Sequence, residues 1–189
     1  MSAIYNSNKI FLSEPNWKSY TRTPYTAMPA IIRSWLLDRG SLTRRLMKLT
    51  KGEFRVEVLT QQIASPTLSE ARTLKIPLRQ KAFIRQVILH GCDVPLVCAR
   101  SIIPVKTLTG ALKNLNTKPL GALLFKDAAM QRGSIEIGFT QANGCFHKEF
   151  SNNSVASVWG RRSLFYLDRK PLLVSELFMP EFNKTIASM

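Results

Sequence analysis

The sequence is poor in the residues that most often bind metals or carry covalent chemistry. Only two histidines, His90 and His147, occur among 189 residues, and the three cysteines form no CxxC pair. Their spacing predicts no metal site, and the cysteine usage favours a reducing, cytoplasmic compartment. The GxGxxG, Walker and GxSxG motifs are also absent. If the protein is an enzyme, we expect it to work without a cofactor, whether metal or nucleotide.

Long apolar runs and acidic residues are scarce as well. No signal-peptide core is present at the start of the sequence, and no run approaches the roughly 20 apolar residues of a membrane span. The 27 Lys and Arg against 12 Asp and Glu give a net charge of +15. This charge favours anionic partners, so steering of a dianion and a peripheral contact with an anionic surface are both open. No nucleic acid is expected, because the sequence contains no helix-turn-helix, aromatic stacking platform or zinc module.

Apolar periodicity is what the sequence does have, and it changes along the chain. We predict a basic N-terminal arm over residues 1–28 and one folded domain, a monomer, over residues 29–189. A first short helix is predicted from Pro29 to Leu37, and a second is predicted to begin after an N-cap at Ser41. Further short helical pieces are expected around Gly110 and around Lys118-Pro119.

Alternation with a period of two predicts the strands. They are EFRVEVL, KAFIRQVILHG, DVPLVCARSIIPV, GSIEIGF, WGRRSLFYL and KPLLVSELFM, the last two forming a hairpin around Asp168-Arg169-Lys170. In GSIEIGF, Ile135, Ile137 and Phe139 are predicted to face inward and Glu136 outward. A Pro- and Ser-bearing connection is expected after the first strand, and a polar loop over residues 140–156. The pattern predicts an α+β domain with a mainly antiparallel sheet and helices inserted between its strands.

Three charged residues break the alternation by facing inward. Glu176 shares one face of its strand with Leu172, Val174 and Phe178, and Arg85 and Arg100 share their faces with large apolar residues. One interpretation is a buried Arg–Glu bridge that ties neighbouring strands together. The other is a pocket, because arginine binds carboxylates with a two-pronged fork and stays charged when desolvated. Two arginines and one acid suit a small dianion that carries a hydroxyl group.

Several motifs in this order resemble the chorismate lyase family of bacteria. W159-G-R-R-S163 followed by K170-P-L-L-V-S-E-L-F-M-P180 is similar to the C-terminal signature of that family. The resemblance extends over about residues 29–180. The other matching segments are Gly40-Ser-Leu-Thr43, the strand around Arg85, Arg100 ahead of Ile103-Pro-Val-Lys-Thr-Leu108, T117-K-P-L-G121 and I135-E-I-G138.

The resemblance implies an enzyme that converts chorismate to 4-hydroxybenzoate and pyruvate in the first step of ubiquinone biosynthesis. It implies a pocket closed by helical flaps and a reaction that needs no cofactor. By the same resemblance, Arg85 and Glu176 are the catalytic candidates. Arg85 would hold the ring carboxylate with the backbone amides of Leu42 and Leu120, and Glu176 would meet the ring hydroxyl. Arg100 is a candidate partner for the enolpyruvyl carboxylate.

The sequence departs from the family pattern in three places, one of which is the basic N-terminal arm with the +15 net charge, which the enzyme does not explain. Leu42 stands where the family often has Met, which a backbone contact tolerates, and residues 140–156 look like an insertion. The alternative function is a non-catalytic effector domain of the same fold that binds a small carboxylate. Such domains usually follow a winged-helix DNA-binding domain, and we do not expect one within the 28 residues before Pro29.

Overall fold

Seven strands form one antiparallel sheet in the computed structural model, which describes residues 14–142 and 156–187. Their order across the sheet is β1-β5-β6-β7-β4-β3-β2, so β7 lies at the centre. This arrangement confirms the predicted α+β class. The strands are β1 Lys18–Ser19, β2 Phe54–Ala64, β3 Ala82–Gly91, β4 Val94–Pro104, β5 Gln131–Ala142, β6 Ala156–Leu167 and β7 Lys170–Phe178.

Short helices join the strands, and three of the six begin where the sequence predicts a cap or a proline. They are α1 Ala30–Leu36, α2 Leu42–Leu49, α3 Leu68–Leu74, α4 Gly110–Lys113, α5 Leu120–Leu124 and α6 Pro180–Ala187. Ser41 caps α2 as predicted, since its hydroxyl accepts a hydrogen bond from the Arg44 amide at 3.3 Å. No helix in the described part of the chain is long and apolar enough to cross a membrane.

Helix α3 replaces part of the irregular connection predicted after the first strand. The Thr67 hydroxyl accepts from the Glu70 amide at 3.2 Å, and the Glu70 carboxylate accepts from the Thr67 amide at 2.8 Å. These reciprocal bonds form a capping box, which stabilises the first turn of the helix. The Thr67-x-x-Glu70 spacing is visible in the sequence and could have predicted the helix.

Helices cover both faces of the sheet. We call the face packed by α1, α2, α4, α5 and α6 the front, and the face packed by α3 and Trp17 the back. In the front-face core, Trp35 and Phe178 each contact Phe182, edge-on and tilted respectively, with ring centroids 4.9 Å apart in both pairs. On the back, Leu74 of α3 packs with residues of the central strands. Because both faces are buried, the central strands carry apolar residues at successive positions and not only at alternate ones.

Other local predictions have mixed outcomes. The hairpin between β6 and β7 is confirmed, and Asp168 and Arg169 both have positive φ, at 48° and 62°, as a tight hairpin turn requires. Ile135 and Ile137 are buried as predicted, but Phe139 is 54% exposed, so its predicted inward orientation is wrong. Of the predicted loop 140–156, residues 140–142 and 156 belong to strands and the rest lie outside the described residues.

Candidate active site

A pocket lies on the front face between the sheet and helices α2 and α5. It brings together four predicted site residues, namely Leu42, Arg85, Leu120 and Glu176. Their roles toward a ligand stay predictions. The other lining residues come from the strands and from the segments at both helices: Gly40, Thr43, Val87, Leu89, Ala99, Ser101, Pro119, Gly121, Leu124, Phe125, Arg132, Arg161, Phe165 and Val174.

The strand register explains why these side chains converge. On β4, Ser101 lies opposite Arg85 of β3 and Val174 of β7, and Ala99 lies opposite Glu176. Residues that are directly opposite in an antiparallel pair point to the same face. Arg85 and Glu176 therefore reach the front face from strands on either side of β4.

Glu176 is both a pocket carboxylate and an ion-pair partner. Its side chain is 16% exposed, and its Oε2 atom accepts a hydrogen bond from Arg161 Nε at 2.6 Å. The tight hairpin pairs Leu167 with Lys170, and the same register places Arg161 directly opposite Glu176. The bridge and pocket interpretations of Glu176 are thus compatible. A carboxylate held by one oxygen can still offer the other to a ligand.

Arg161 is a site residue that the sequence analysis missed. It is 1% exposed, and its Nη1 atom donates to the carbonyl oxygens of Trp35 at 2.7 Å and Asp38 at 2.6 Å. The side chain thereby fixes Glu176 and also the C-terminal end of α1. The predicted hairpin would have revealed it, because counting back from Asp168-Arg169 pairs Arg161 with Glu176.

Arg85 is a buried cation without a carboxylate partner among the described residues. It is 2% exposed, and its Nη2 atom donates to the carbonyl oxygens of Asn116 at 2.9 Å and Lys118 at 3.0 Å. Its Nε atom is buried and has no hydrogen-bond partner in the described structure. Burial lowers the pKa of Arg85 to about 10, which leaves it charged at neutral pH. An uncompensated buried charge is unfavourable, so this geometry favours an anionic ligand.

Arg132 is a second pocket arginine that the sequence analysis missed. Its Nε atom donates to Ser163 Oγ at 3.2 Å, and its guanidinium carbon lies 5.1 Å from the ring centroid of Phe165. Burial lowers the pKa of Arg132 to about 10; the positive charge of Arg161 acts in the same direction, and the negative charge of Glu176 opposes it. No described carboxylate forms a salt bridge with it.

Arg100 does not line this pocket, so its predicted place on the same inward face as Arg85 is wrong. It lies on the back face, where its Nε and Nη2 atoms bind Glu70 Oε1 at 2.6 Å and Oε2 at 3.1 Å. Both side chains are almost fully buried. This is a structural Arg–Glu bridge, but its acid is Glu70 instead of Glu176, and it connects a strand to α3.

A β-bulge causes the change of face. The turn pairs Gly91 with Val94, a register that would place Arg100 opposite Arg85 if it continued. The pairing shifts by one residue between Leu89 and His90, so Arg100 lies opposite Gln86 instead. A shift of one residue moves every later side chain to the other face of a strand.

Helices α2 and α5 close the pocket over the sheet. Leu42 and Leu120 are the first residues of these helices, where backbone amides have no acceptor within the helix. The helices approach each other closely, because a Cβ atom added to Gly121 would lie 3.0 Å from Thr43 Oγ1. We call α2 and α5 the cover helices and their close contact at Gly121 and Thr43 the seam. The cover helices therefore combine backbone amide donors at their first residues with a narrow seam.

The lining chemistry suits an organic dianion. Three arginines and one glutamate give the pocket a net charge of +2, and Val87, Leu124 and Phe165 add apolar surface. Residues 14–142 and 156–187 contain no cluster of three or more His, Cys, Asp or Glu side chains that could hold a metal ion.

Comparisons with known proteins agree with this chemistry. The family model described as chorismate lyase matches residues 12–186. A protein of Methylococcus capsulatus named "Probable chorismate pyruvate-lyase" is 38% identical over 153 residues, which cover 79% of this chain and 94% of that relative. A protein of Pseudomonas aeruginosa with the same name is 40% identical over 152 residues, covering 79% and 83% of the two chains.

Solved structures match the fold at much lower identity. The effector domain of PhnF from Mycobacterium smegmatis aligns with a TM-score of 0.61 and 11% identity, covering 77% of this chain and 91% of that chain. A possible transcriptional regulator YydK from Bacillus subtilis aligns with a TM-score of 0.53 and 13% identity, covering 68% and 58%. These likenesses show a shared fold.

Proposed function

The chain belongs to the chorismate lyase family, and we propose that it cleaves chorismate to 4-hydroxybenzoate and pyruvate, opening ubiquinone biosynthesis in the cytoplasm. One observation carries the proposal. Arg85, a buried cation without a described counterion, and Glu176 both line one pocket that also has apolar surface. Chorismate is a dianion with a ring carboxylate at one end and a hydroxyl group at the other. The names of the relatives support the same reaction.

Arg85 and the cover helices would hold the ring carboxylate. Arg85 reaches the pocket from β3 with its Nε atom unpaired, and the backbone amides of Leu42 and Leu120 stand at the starts of α2 and α5. Charge-assisted bonds from arginine and amide donors are among the stronger hydrogen bonds in proteins. Both cover helices would then be held closed by the ligand that they enclose.

Glu176 would accept a hydrogen bond from the ring hydroxyl at the far end of the ligand. Its Oε2 atom is occupied by Arg161, and Oε1 has no partner among the described residues. The ion pair with Arg161 orients the Glu176 carboxylate, which lines the pocket. The position fixes the ring along the line between Arg85 and Glu176.

The reaction needs little covalent chemistry from the protein. The bond between ring C3 and the ether oxygen breaks, the hydrogen on C4 is lost, and the enolpyruvyl methylene carbon gains a proton to give pyruvate. Atoms balance without an oxidant, a reductant or water, and aromatisation of the ring supplies driving force. The protein contributes by holding the dianion in a reactive conformation and compensating its charges.

We also propose that turnover needs no metal or nucleotide. Activity should persist after exhaustive dialysis against EDTA and without any added nucleotide, measured as 4-hydroxybenzoate formed from chorismate. Loss of activity with EDTA that a divalent metal restores would contradict this part of the proposal.

Incubation of the purified protein with chorismate tests the function directly. We expect equal amounts of 4-hydroxybenzoate and pyruvate, resolved by chromatography and by a coupled lactate dehydrogenase assay. The Arg85→Met variant should be strongly impaired, and Arg55→Met is the matched control because Arg55 is an exposed arginine. Binding of chorismate without turnover would favour a non-catalytic effector domain.

A further inference from the structure

The pocket contains more positive charge than Glu176 and a single ligand carboxylate compensate. Arg85 accounts for a ring carboxylate, and Arg161 is compensated by Glu176 at 2.6 Å. Arg132 remains as a third cation that lines the pocket without a described carboxylate partner. Arg132 is partly buried, so an anion bound beside it would offset the part of its hydration that the pocket removes.

The Arg132 side chain is held in place by neutral groups only. Its Nε atom donates to Ser163 Oγ, and Nη1 donates to the carbonyl oxygens of Asp38 at 3.1 Å and Gly40 at 3.4 Å. The nearby Asp38 carboxylate is directed to Arg45, with Oδ2 3.1 Å from Nη1. The guanidinium group is thus oriented, while its Nη2 atom has no partner among the described residues.

Arg132 and Arg85 enter the pocket from opposite sides. Arg85 is on β3 and Arg132 is on β5, four strand spacings apart in the sheet, or about 19 Å between backbones. Arg132 lies opposite Phe165 on β6, next to the strand pair that carries Arg161 and Glu176. The two cations therefore enter one cavity from opposite sides. Arg132 Nη1 and Arg161 Nη1 donate to the same carbonyl oxygen, that of Asp38, and Arg161 Nε binds Glu176, so the Glu176 carboxylate lies near the Arg132 guanidinium group.

We propose that Arg132 binds the enolpyruvyl carboxylate of chorismate and so distinguishes the substrate from 4-hydroxybenzoate, an inference that rests on the proposed function. In chorismate the enolpyruvyl ether is on the ring carbon next to the one that carries the hydroxyl group. A ligand whose hydroxyl meets Glu176 places its second carboxylate beside Arg132. The product lacks that carboxylate, so it leaves Arg132 unpaired once pyruvate has departed.

Substrate and product then respond differently to loss of the Arg132 charge. We expect Arg132→Met to raise the KM for chorismate about 30-fold or more, because it removes a charge-assisted bond in a desolvated site. The dissociation constant for 4-hydroxybenzoate, measured by calorimetry, should change less than about threefold. Arg85→Met should weaken both ligands, since both carry the ring carboxylate.

A purely structural role for Arg132 predicts another pattern. Loss of the bonds to Ser163, Asp38 and Gly40 would loosen the site and weaken chorismate and 4-hydroxybenzoate by similar factors. Equal losses for the two ligands, or no loss for either, would overturn the inference. If Arg132→Met does not fold, Arg132→Lys decides in its place, because it retains the charge and removes the fork. We expect a smaller loss that is still confined to chorismate.

The same experiment separates this inference from the proposed function. A wild-type protein that binds chorismate without forming 4-hydroxybenzoate contradicts the lyase reaction, yet calorimetry with chorismate and 4-hydroxybenzoate still tests Arg132. A wild-type protein that turns over chorismate, with an Arg132→Met variant that shows no preferential loss of substrate, overturns only the role of Arg132.

Discussion

The two faces of the central sheet contain similar residues in opposite electrostatic states. On the back face, Arg100 is bridged to Glu70 and Arg162 is bridged to Glu136, each with a shortest distance below 2.8 Å. On the front face, Arg85 and Arg132 have no described carboxylate partner. These two back-face arginines have their charges compensated without a ligand, and the two front-face arginines do not. Pairing, more than burial, separates arginines that stabilise the fold from arginines that are available for binding.

The largest effect should come from breaking a pair on the back face. Arg100→Met leaves Glu70 buried without its partner, so we expect the free energy of unfolding to fall by about 3–5 kcal/mol. Adding Glu70→Gln should restore much of this loss, because it removes the stranded charge and keeps a side chain that can cap α3. Chemical denaturation followed by circular dichroism measures both variants.

Arg55→Met is the control for Arg100→Met, since Arg55 is half exposed and its ion pairs should contribute less than about 1 kcal/mol. Folded Arg100→Met protein should bind 4-hydroxybenzoate as the wild type does. A stable Arg100→Met variant with weakened ligand binding would remove the distinction between the faces and return Arg100 to the site.

The corresponding change on the front face should affect binding more than folding. Arg85→Met removes a cation that has no described carboxylate to strand, so its unfolding free energy should change less than that of Arg100→Met. Affinity for 4-hydroxybenzoate should fall by about 2–5 kcal/mol, because the buried ligand carboxylate loses its partner. Calorimetric titration measures the affinity, and product affinity equal to that of Arg55→Met would exclude Arg85 from the site.

Alternation within single strands predicted part of this comparison. It placed Arg85 and Glu176 among apolar neighbours, and the helix caps predicted the helices that position Leu42. Alternation could not assign Arg100, because β4 is buried on both faces at every position from residue 96 to residue 104.

The bulges account for the rest of what the sequence could not predict. Arg100 leaves the front face through the register shift near Leu89, and Arg132 reaches it through a shift between Arg132 and Ile135. Counting back from Ile135 with a period of two would assign Arg132 to the face of Glu136. A bulge is a property of the pairing between two strands, so the apolar alternation of a single strand does not reveal it. The sequence therefore predicted a pocket as one of two interpretations, misassigned Arg100, and did not reveal Arg132.

A medium effect should separate two glutamates in nearly equivalent bridges. Glu176 and Glu136 each accept from a buried arginine Nε atom, at 2.6 Å and 2.7 Å. Glu176→Gln and Glu136→Gln should therefore lower the melting temperature to a similar degree. Only Glu176→Gln should also slow chorismate turnover, by about 1.5–3 kcal/mol in activation free energy, because the ring hydroxyl loses a charged acceptor.

The difference in turnover rate between Glu176→Gln and Glu136→Gln shows what Glu176 does. General acid–base work by Glu176 would give a larger loss, typically about 10²–10⁴-fold. A Glu176→Gln protein that melts early and turns over chorismate at the rate of Glu136→Gln would reduce Glu176 to a structural partner of Arg161.

The smallest effect should appear where the front cover closes. The back cover, α3, is fixed by its capping box and by the Arg100 bridge, whereas α2 and α5 meet at a seam where only Gly121 leaves room for Thr43. In Gly121→Ala the new methyl group would lie 3.0 Å from Thr43 Oγ1, so the Thr43 side chain or its helix must shift by a few tenths of an ångström. We expect 4-hydroxybenzoate to dissociate several-fold faster, a change of about 1 kcal/mol, at the low end of what overpacking typically costs. Stopped-flow displacement measures that rate.

The control is Thr43→Ala in the Gly121→Ala background, which removes the opposing hydroxyl and should slow dissociation again. A double variant that releases product as fast as Gly121→Ala would show that the seam does not control ligand exit.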